Sequence, residues 1–252
     1  MNCIFCKKIS ADSKSVEHII PESLGNKKHV LDKGIVCDKC NSYFSVKIEK
    51  HVLDLPYFRS VRKRNEIPSK KNKVPSEIGF LGDLVNGKVE VFGVKQNSLQ
   101  IVVENKELFE KILKGEFTDL KIPIHKFPPK DNILLSRFLG KVALEALAQK
   151  VKNVDNWNED FISNEGLDRM RNYVRYGKGK FWSYSFRKVY EEFDTFSSSQ
   201  KENFSYQILN EYDFLYLEES YLIFICIIMG IEYSIMLNEP NLDIYQEWLK
   251  KN

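Results

Sequence analysis

Two Cys-x-x-Cys pairs, Cys3 with Cys6 and Cys37 with Cys40, stand 30 residues apart at the start of a 252-residue chain. No other feature constrains the fold as much. Each pair can form a tight knuckle that presents two thiolates, and two knuckles face to face satisfy one tetrahedral zinc ion with bonds of about 2.3 Å. Zinc ribbons commonly carry roughly 15 to 20 residues between their knuckles, so the longer interval here must hold folded structure of its own. The fifth cysteine, Cys226, lies in the apolar run from Tyr221 to Met229 and reads as a small core residue.

The first residues, MNCIFCKK, lack the apolar stretch of a secretion signal. The apolar run ending at Met229 meets Gly230 and Glu232, well short of the roughly 20 residues of a membrane helix. A cytoplasmic location is therefore expected, and there cysteines serve metals or chemistry rather than disulfides. The net charge of +3 conceals an imbalance: residues 1–75 hold 16 Lys and Arg against 8 Asp and Glu, whereas the rest holds 22 against 27. The basic first part keeps its excess even when four thiolates and one zinc are counted, which points to a polyanionic partner.

Composition divides the chain into three stretches. Residues 1–58 are dense in metal-ligating side chains. Residues 59–77, RSVRKRNEIPSKKNKVPSE, carry seven Lys or Arg, two prolines and few large apolar groups, as in a solvated linker or arm. Residues 78–252 alternate strand and helix patterns. GFLGDLVNGKVEVFGV places Asn86-Gly87 between apolar runs, a hairpin signal, and SLQIVVEN predicts a third strand. Leu135, Phe138, Leu139, Val142, Ala146 and Leu147 recur at helical spacing over residues 132–151, with Asp131 as the expected cap. A shorter helix is expected over residues 165–176, closed by Gly177. YLIFICIIMGIEYSIML reads as two strands bent at Gly230, and LDIYQEWLKK as a final amphipathic helix. The expected fold class is α+β, with antiparallel strands and packed helices in the larger second part.

Within the interval between the knuckles lies SVEHIIPESLGN, residues 15–26. Val16, Ile19 and Ile20 around Glu17-His18 predict a short strand that Pro21 ends. Gly34-Ile35-Val36 is placed to pair back as a second strand. The second knuckle then opens a helix whose Phe44, Ile48, Val52 and Leu55 fall at steps 0, 4, 8 and 11, one apolar stripe. Asn41 sits on the first turn. Two strands and a helix, stapled at their base, would bring His18 close to Asn41.

Taken together, Cys-x2-Cys, Glu-His-Ile-Ile-Pro-x-Ser-Leu-Gly and Cys-x-x-Cys-Asn resemble the HNH, or ββα-metal, endonucleases, in the zinc-stapled branch whose last motif residue is asparagine. The resemblance covers residues 3 to about 55. SRFLGKVALEALA and RNYVRYG are similar to segments that follow HNH modules in bacterial proteins. By resemblance, His18 is the general base that takes a proton from the attacking water, Glu17 and Asn41 are ligands of one catalytic Mg²⁺ or Mn²⁺, and Cys3, Cys6, Cys37 and Cys40 hold a separate structural Zn²⁺. These residue types suit the chemistry. A histidine side chain titrates near neutral pH and can activate water, and a cation bound through a few oxygens steadies the charge that gathers on the phosphate. The family pattern also has an asparagine that braces the histidine before the second knuckle. By spacing Asp32 stands there, with Asn26 further off, so Asp32 joins His18 in the expected catalytic set.

The expected partner is DNA, its phosphates met by Arg59, Arg62, Lys63, Arg64, Lys70, Lys71 and Lys73. The interleaved aromatics and cations from Tyr173 to Lys188 are a weaker site for stacking on bases. His29, His51 and His125 have no comparable setting. The reading is a cytoplasmic, metal-dependent DNA endonuclease of restriction, phage defence or a mobile element, with a homodimer as one way to address two strands. Residues 78–252 would supply substrate selection, dimerisation or regulation. The rivals are a zinc-stapled protein that binds DNA without cutting it, and an RNA nuclease.

Overall fold

The computed structural model describes all residues except 70, 83–86, 95–97, 118, 198–204 and 219. The first strand, β1 (Glu17–His18), pairs antiparallel with β2 (Val30–Leu31), setting Glu17 opposite Leu31 and His18 opposite Val30. Between them Pro21 opens a 3₁₀ turn, Glu22–Leu24, which Gly25 closes at φ 86°, a left-handed conformation that a side chain would disfavour. Residues 34–36, expected to form the second strand, do something else. The Ile35 carbonyl accepts a bond from the amide of Ile4 at 3.0 Å, so this segment ties the second knuckle to the first instead of pairing with β1.

Cys37 caps α1 (Asp38–Phe44), which continues through a π-turn, Ser45–Glu49, into α2 (Lys50–Leu53). In an unbroken α-helix, residues four apart drift by roughly 40° per step. The wider π-turn absorbs that drift and keeps Phe44, Ile48 and Val52 on one face, and all three are fully buried. Leu55, the expected fourth member of the stripe, lies beyond the helix in extended conformation before Pro56.

The chain separates into two compact units, and not along the three stretches that composition suggests: residues Met1–Val52 join Lys130–Asn252 in one unit, and Leu53–Pro129 form the other. In the inserted unit, α3 (Pro56–Arg64) precedes β3 (Glu77–Leu81), β4 (Lys88–Val94), β5 (Ser98–Val102), α4 (Lys106–Leu113) and β6 (Leu120–Lys121). The strands form an antiparallel sheet in the order β5-β4-β3-β6. Leu81, Val89, Val91 and Leu108 make its core. The expected hairpin joins β3 to β4, although Asn86 itself lies outside the described residues. The supposed linker begins as α3, pinned to β3 by Lys63 on Glu77 at 2.9 Å and by Arg59 on the Ser76 carbonyl at 2.9 Å.

In the larger unit, α5 (Ile133–Val151) is capped by Asn132, not Asp131: the Asn132 side chain accepts from the Leu135 amide at 2.9 Å. After α6 (Trp157–Ser163), α7 (Asp168–Tyr176) ends at Gly177, as expected. There follow β7 (Tyr184–Lys188), β8 (Thr195–Ser197), β9 (Ser205–Gln207), β10 (Asn210–Leu217), β11 (Tyr221–Ile228), β12 (Ile231–Met236) and α8 (Asp243–Lys251). Strands β10-β11-β12-β7 form one antiparallel sheet, and β8 pairs with β9. Met229 and Gly230, both at positive φ, make the tight turn of the β11–β12 hairpin. Helix α5 is buried on nearly every side, from Leu135 through Ala148. Gly140 lets α7 approach it closely, since a Cβ there would meet Met170 Sδ and Val174 Cγ2 at 2.7 Å. The architecture is α+β. Among the described residues no helix is long and apolar enough to cross a membrane.

Candidate active site and metal centre

The four knuckle cysteines converge, with every Sγ within 4.8 Å of the others. Cys6 and Cys37 place their sulfurs 3.7 Å apart, and a tetrahedron with bonds of about 2.3 Å needs about 3.8 Å between sulfurs. The set can therefore close around a metal ion of the size and preference of zinc. Backbone and side-chain donors face the sulfurs: the Cys37 amide reaches Cys3 Sγ at 3.4 Å, and Arg175 Nε reaches Cys40 Sγ at 3.3 Å. A hydrogen bond from the Cys40 thiol, followed by the amides of Cys37, Cys6 and Phe5, holds the Cys3 thiol down to about 5 against the opposing effect of burial.

Helix α7 braces this centre. Arg175 lies over the Tyr43 ring at 3.9 Å. One turn earlier on the same helix, the buried Arg171 donates Nε to the Ile4 carbonyl at 2.9 Å and Nη1 to Asp168 at 2.6 Å, and reaches the Asn164 and Phe161 carbonyls as well. An arginine fork of five fixed donors is suited to gathering several acceptors in this way. The first knuckle is thus built onto residues more than 150 positions away.

Strand alternation sends the two residues of β1 in opposite directions. His18 is half-buried, and its imidazole has no hydrogen-bond partner among the described residues. Asn41, on the first turn of α1, donates Nδ2 to the Val16 carbonyl at 3.3 Å, which fixes its amide beside β1 and leaves Oδ1 as the acceptor end. Glu17 turns inward, its side chain 8% exposed, and Oε1 accepts from Lys141 Nζ at 2.5 Å. That ammonium, itself 0% exposed, also lies 2.7 Å from Glu49 Oε1, 3.1 Å from Glu145 Oε2 and 3.3 Å from the His18 carbonyl. Burial alone pulls Lys141 down, but the three carboxylates, Glu145 foremost, more than reverse this and hold it well above the ordinary lysine value. Burial pushes the Glu145 carboxyl well up, against the pull of Lys141.

Asp32 does not brace His18. It lies past the end of β2, 68% exposed, with its carboxylate on Lys152 at 2.9 Å. The residue that fixes the geometry of the strand pair is Asn26. Fully buried, it donates Nδ2 to the carbonyls of Ile20 at 2.7 Å and His29 at 2.9 Å, and its Oδ1 accepts from the amides of Lys28 and His29. It satisfies the turns of the loop rather than the imidazole ring. A buried amide used on all its hydrogen-bonding capacity in this way is a structural lock.

The basic set divides. Arg59 and Lys63 are occupied on β3 and its approach, and Arg62 is buried, which pulls its guanidinium down. Arg64, Lys71 and Lys73 are exposed, and Lys70 lies outside the described residues. A free arm along the whole of 59–73 is therefore corrected to a helix with a short basic loop after it. From the stretch Tyr173–Lys188, Tyr173 and Trp182 are core residues: the Tyr173 hydroxyl bonds Ser136 at 2.9 Å and Trp182 Nε1 bonds the Met236 carbonyl at 2.5 Å. Neither ring is placed to stack on a base.

Lys141, Glu49, Glu145, Asn26, Arg171 and Arg175 form the framework that sequence reading missed. A signal for two of them was present, since Lys141 and Glu145 stand one turn apart within the mostly apolar stretch Phe138–Ala148 of α5. No curated protein and no solved structure matches the chain. Residues 3–54 match the family of HNH endonucleases, and the same segment brings its four cysteine sulfurs together, as a zinc-stapled module of that kind requires.

Proposed function

We propose that the protein is a metal-dependent endonuclease that hydrolyses phosphodiester bonds in DNA. The observation that carries this reading is the placement of an unpartnered imidazole, His18, and the Asn41 amide on adjoining elements of a segment similar to HNH endonucleases, over four converging cysteines. The cysteines hold a structural Zn²⁺. Asn41 Oδ1 and the carboxylate of Glu17 are the oxygens that would hold a catalytic Mg²⁺ or Mn²⁺, an ion content with few protein ligands and several waters. The donor set suits a cation: Asn41 spends its nitrogen on Val16, and Glu17 with Glu49 outnumber Lys141 in charge. When bound, such an ion stabilises the charge that develops on phosphate oxygens. His18 accepts the proton of the attacking water, and no covalent enzyme intermediate forms.

Exposed Arg64, Lys71 and Lys73 remain as phosphate contacts on the inserted unit. The setting this reading implies is restriction, phage defence or a mobile element in the cytoplasm, and a homodimer would allow cuts in both strands. The grip of Lys141 on Glu17 favours a second reading, a stapled module that binds nucleic acid without cutting it.

The test incubates the zinc-loaded protein with supercoiled plasmid and with RNA of matched sequence, with Mg²⁺, Mn²⁺ or chelator. Nicking of DNA that needs the added ion and falls at least about 100-fold in His18→Ala, with plasmid binding retained, supports the enzyme. Binding without cleavage in wild type establishes the second reading, and preferential cleavage of RNA replaces DNA as the substrate.

A further inference from the structure

One ammonium holds both residues of the Glu17-His18 pair. Lys141 Nζ meets the side chain of the first at 2.5 Å and the main-chain carbonyl of the second at 3.3 Å. Lys141 is itself immobilised: it is fully buried on α5, between Gly140, where α7 packs, and Val142, and two further carboxylates, Glu49 from the π-turn and Glu145 one helical turn on, surround the same nitrogen. The π-turn matters here, because it is the segment that carries Glu49 on the same helical run as Asn41.

Resting on the reading of Glu17 as a cation ligand, we propose that Lys141 is a positioning residue for the nuclease site, fixing the end of β1 so that the orientation of the Glu17 carboxylate and the main chain that carries the His18 imidazole are set by one group. The ammonium takes Oε1 and leaves the carboxylate's orientation determined. The Lys141–His18 carbonyl contact fixes the peptide plane between His18 and Ile19, and with it the main chain from which the imidazole leaves the strand. Glu49 and Glu145 hold the lysine and do not face the substrate. The HNH module is on this account incomplete by itself: part of its site geometry comes from a helix more than 120 residues away.

A merely structural role for Lys141, neutralising buried carboxylates, makes a different forecast, and two variants in the full-length, zinc-loaded protein separate them. Lys141→Met removes the ammonium. Lys141→Met with Glu49→Gln and Glu145→Gln removes the ammonium together with two of the three carboxylates around it, which lowers the like-charge repulsion left by the single variant. Mn²⁺ binding is followed by electron paramagnetic resonance, zinc content by atomic absorption, and nicking as a function of Mg²⁺. If Lys141 positions Glu17, Mn²⁺ affinity drops at least about tenfold in the triple variant, the usual loss when the residue holding a metal ligand is removed, while zinc content stays at one per chain. Wild-type Mn²⁺ affinity in the triple variant overturns the proposal. Glu17→Gln tells this failure from that of the underlying reading: unchanged Mn²⁺ binding in Glu17→Gln removes Glu17 from the ligands altogether, whereas weakened binding there beside normal binding in the triple variant rejects only the part given to Lys141.

Discussion

The larger unit contains two clusters of four ionisable side chains, and they are built on opposite principles. In the first, Cys3, Cys6, Cys37 and Cys40 are four like ligands brought together by two short knuckles, with the single guanidinium of Arg175 at their edge on Cys40. In the second, Glu17, Glu49 and Glu145 surround a cation that the chain supplies, Lys141. The first is arranged to take an ion from outside the chain; the second has its counter-charge within the chain and responds to changes of side chain and of pH. Cluster one is local in sequence and cluster two is assembled from three distant segments. The comparison teaches that residues 3–54 are held from two sides: at the knuckles, whose four sulfurs can close on a metal ion, and at β1, which α5 grips through Lys141.

The largest expected effect breaks the first cluster. Chelation of zinc, or Cys40→Ser, removes binding energy on the order of 10 kcal/mol that is also folding energy for a structural site. Thermal unfolding should then show loss of the native transition for the unit that contains residues 1–52, and DNA nicking should disappear. A zinc-free protein that melts as the loaded one does would mean that the α5 and α7 contacts suffice, and the contrast drawn between the clusters would collapse.

Removing the cation of the second cluster ranks next. Lys141→Met leaves Glu17 and Glu49 nearly buried without their counter-charge, and breaking a buried ion pair from one side costs about 3–5 kcal/mol. Denaturant titration of the zinc-loaded variant measures it. A loss under about 1 kcal/mol would show that the carboxylates relax into water, and that the cluster is looser than its distances indicate.

These two predictions also mark how far the sequence could be read. The knuckles, the Glu17-His18 step, Asn41 on a first helical turn, the final hairpin and the α+β class all express short-range rules: ligand spacing, strand and helix periods, turn residues. What was not legible is the partner of Glu17. Lys141 is 124 residues away, and nothing in a local pattern says which carboxylate a buried lysine will meet. The same limit explains the units. A run such as RSVRKRNEIPSKK reads as linker by composition, yet Pro56 starts a helix and Glu77 anchors it through Lys63. Asp32 was placed by counting residues back from the second knuckle. The real second strand ends one residue earlier, at Leu31, and the side chain beyond it turns to solvent.

A smaller effect sharpens the second cluster through pH. Burial raises the Glu145 carboxyl well above the ordinary 4.5, so between that value and its folded one the folded protein binds a proton that the unfolded chain has released. Folding therefore takes up a proton over the range above that value, so stability is fully present below about pH 4.5 and declines as pH rises toward the raised folded value. The decline is at most about 1.4 kcal/mol per pH unit for one proton. Glu145→Gln has no proton to lose. Melting temperatures of zinc-loaded wild type and variant between pH 5 and 8 should diverge, with the variant gaining on wild type as pH increases. Parallel curves would show that Glu145 is ionised in the folded state and that Lys141 balances more charge than its surroundings imply.

The smallest effect is expected at Asp32, and it is informative because two geometries forecast different results. In the fold, Asp32 makes one exposed pair with Lys152 at the end of α5, and such pairs contribute about 0–1 kcal/mol. Asp32→Asn should then change stability by less than about 0.5 kcal/mol and leave nicking at every pH as in wild type, because the loop geometry beside His18 is carried by Asn26 through four bonds to main-chain groups. If Asp32 instead swung onto the imidazole during the reaction, it would stabilise the protonated ring, and its removal would lower the apparent pKa of the pH–rate profile and reduce the maximum rate. A shifted profile with unchanged stability would restore Asp32 to the catalytic set. Coincident profiles would leave His18 acting without a carboxylate partner, oriented by the strand that Lys141 and Asn26 hold from either side.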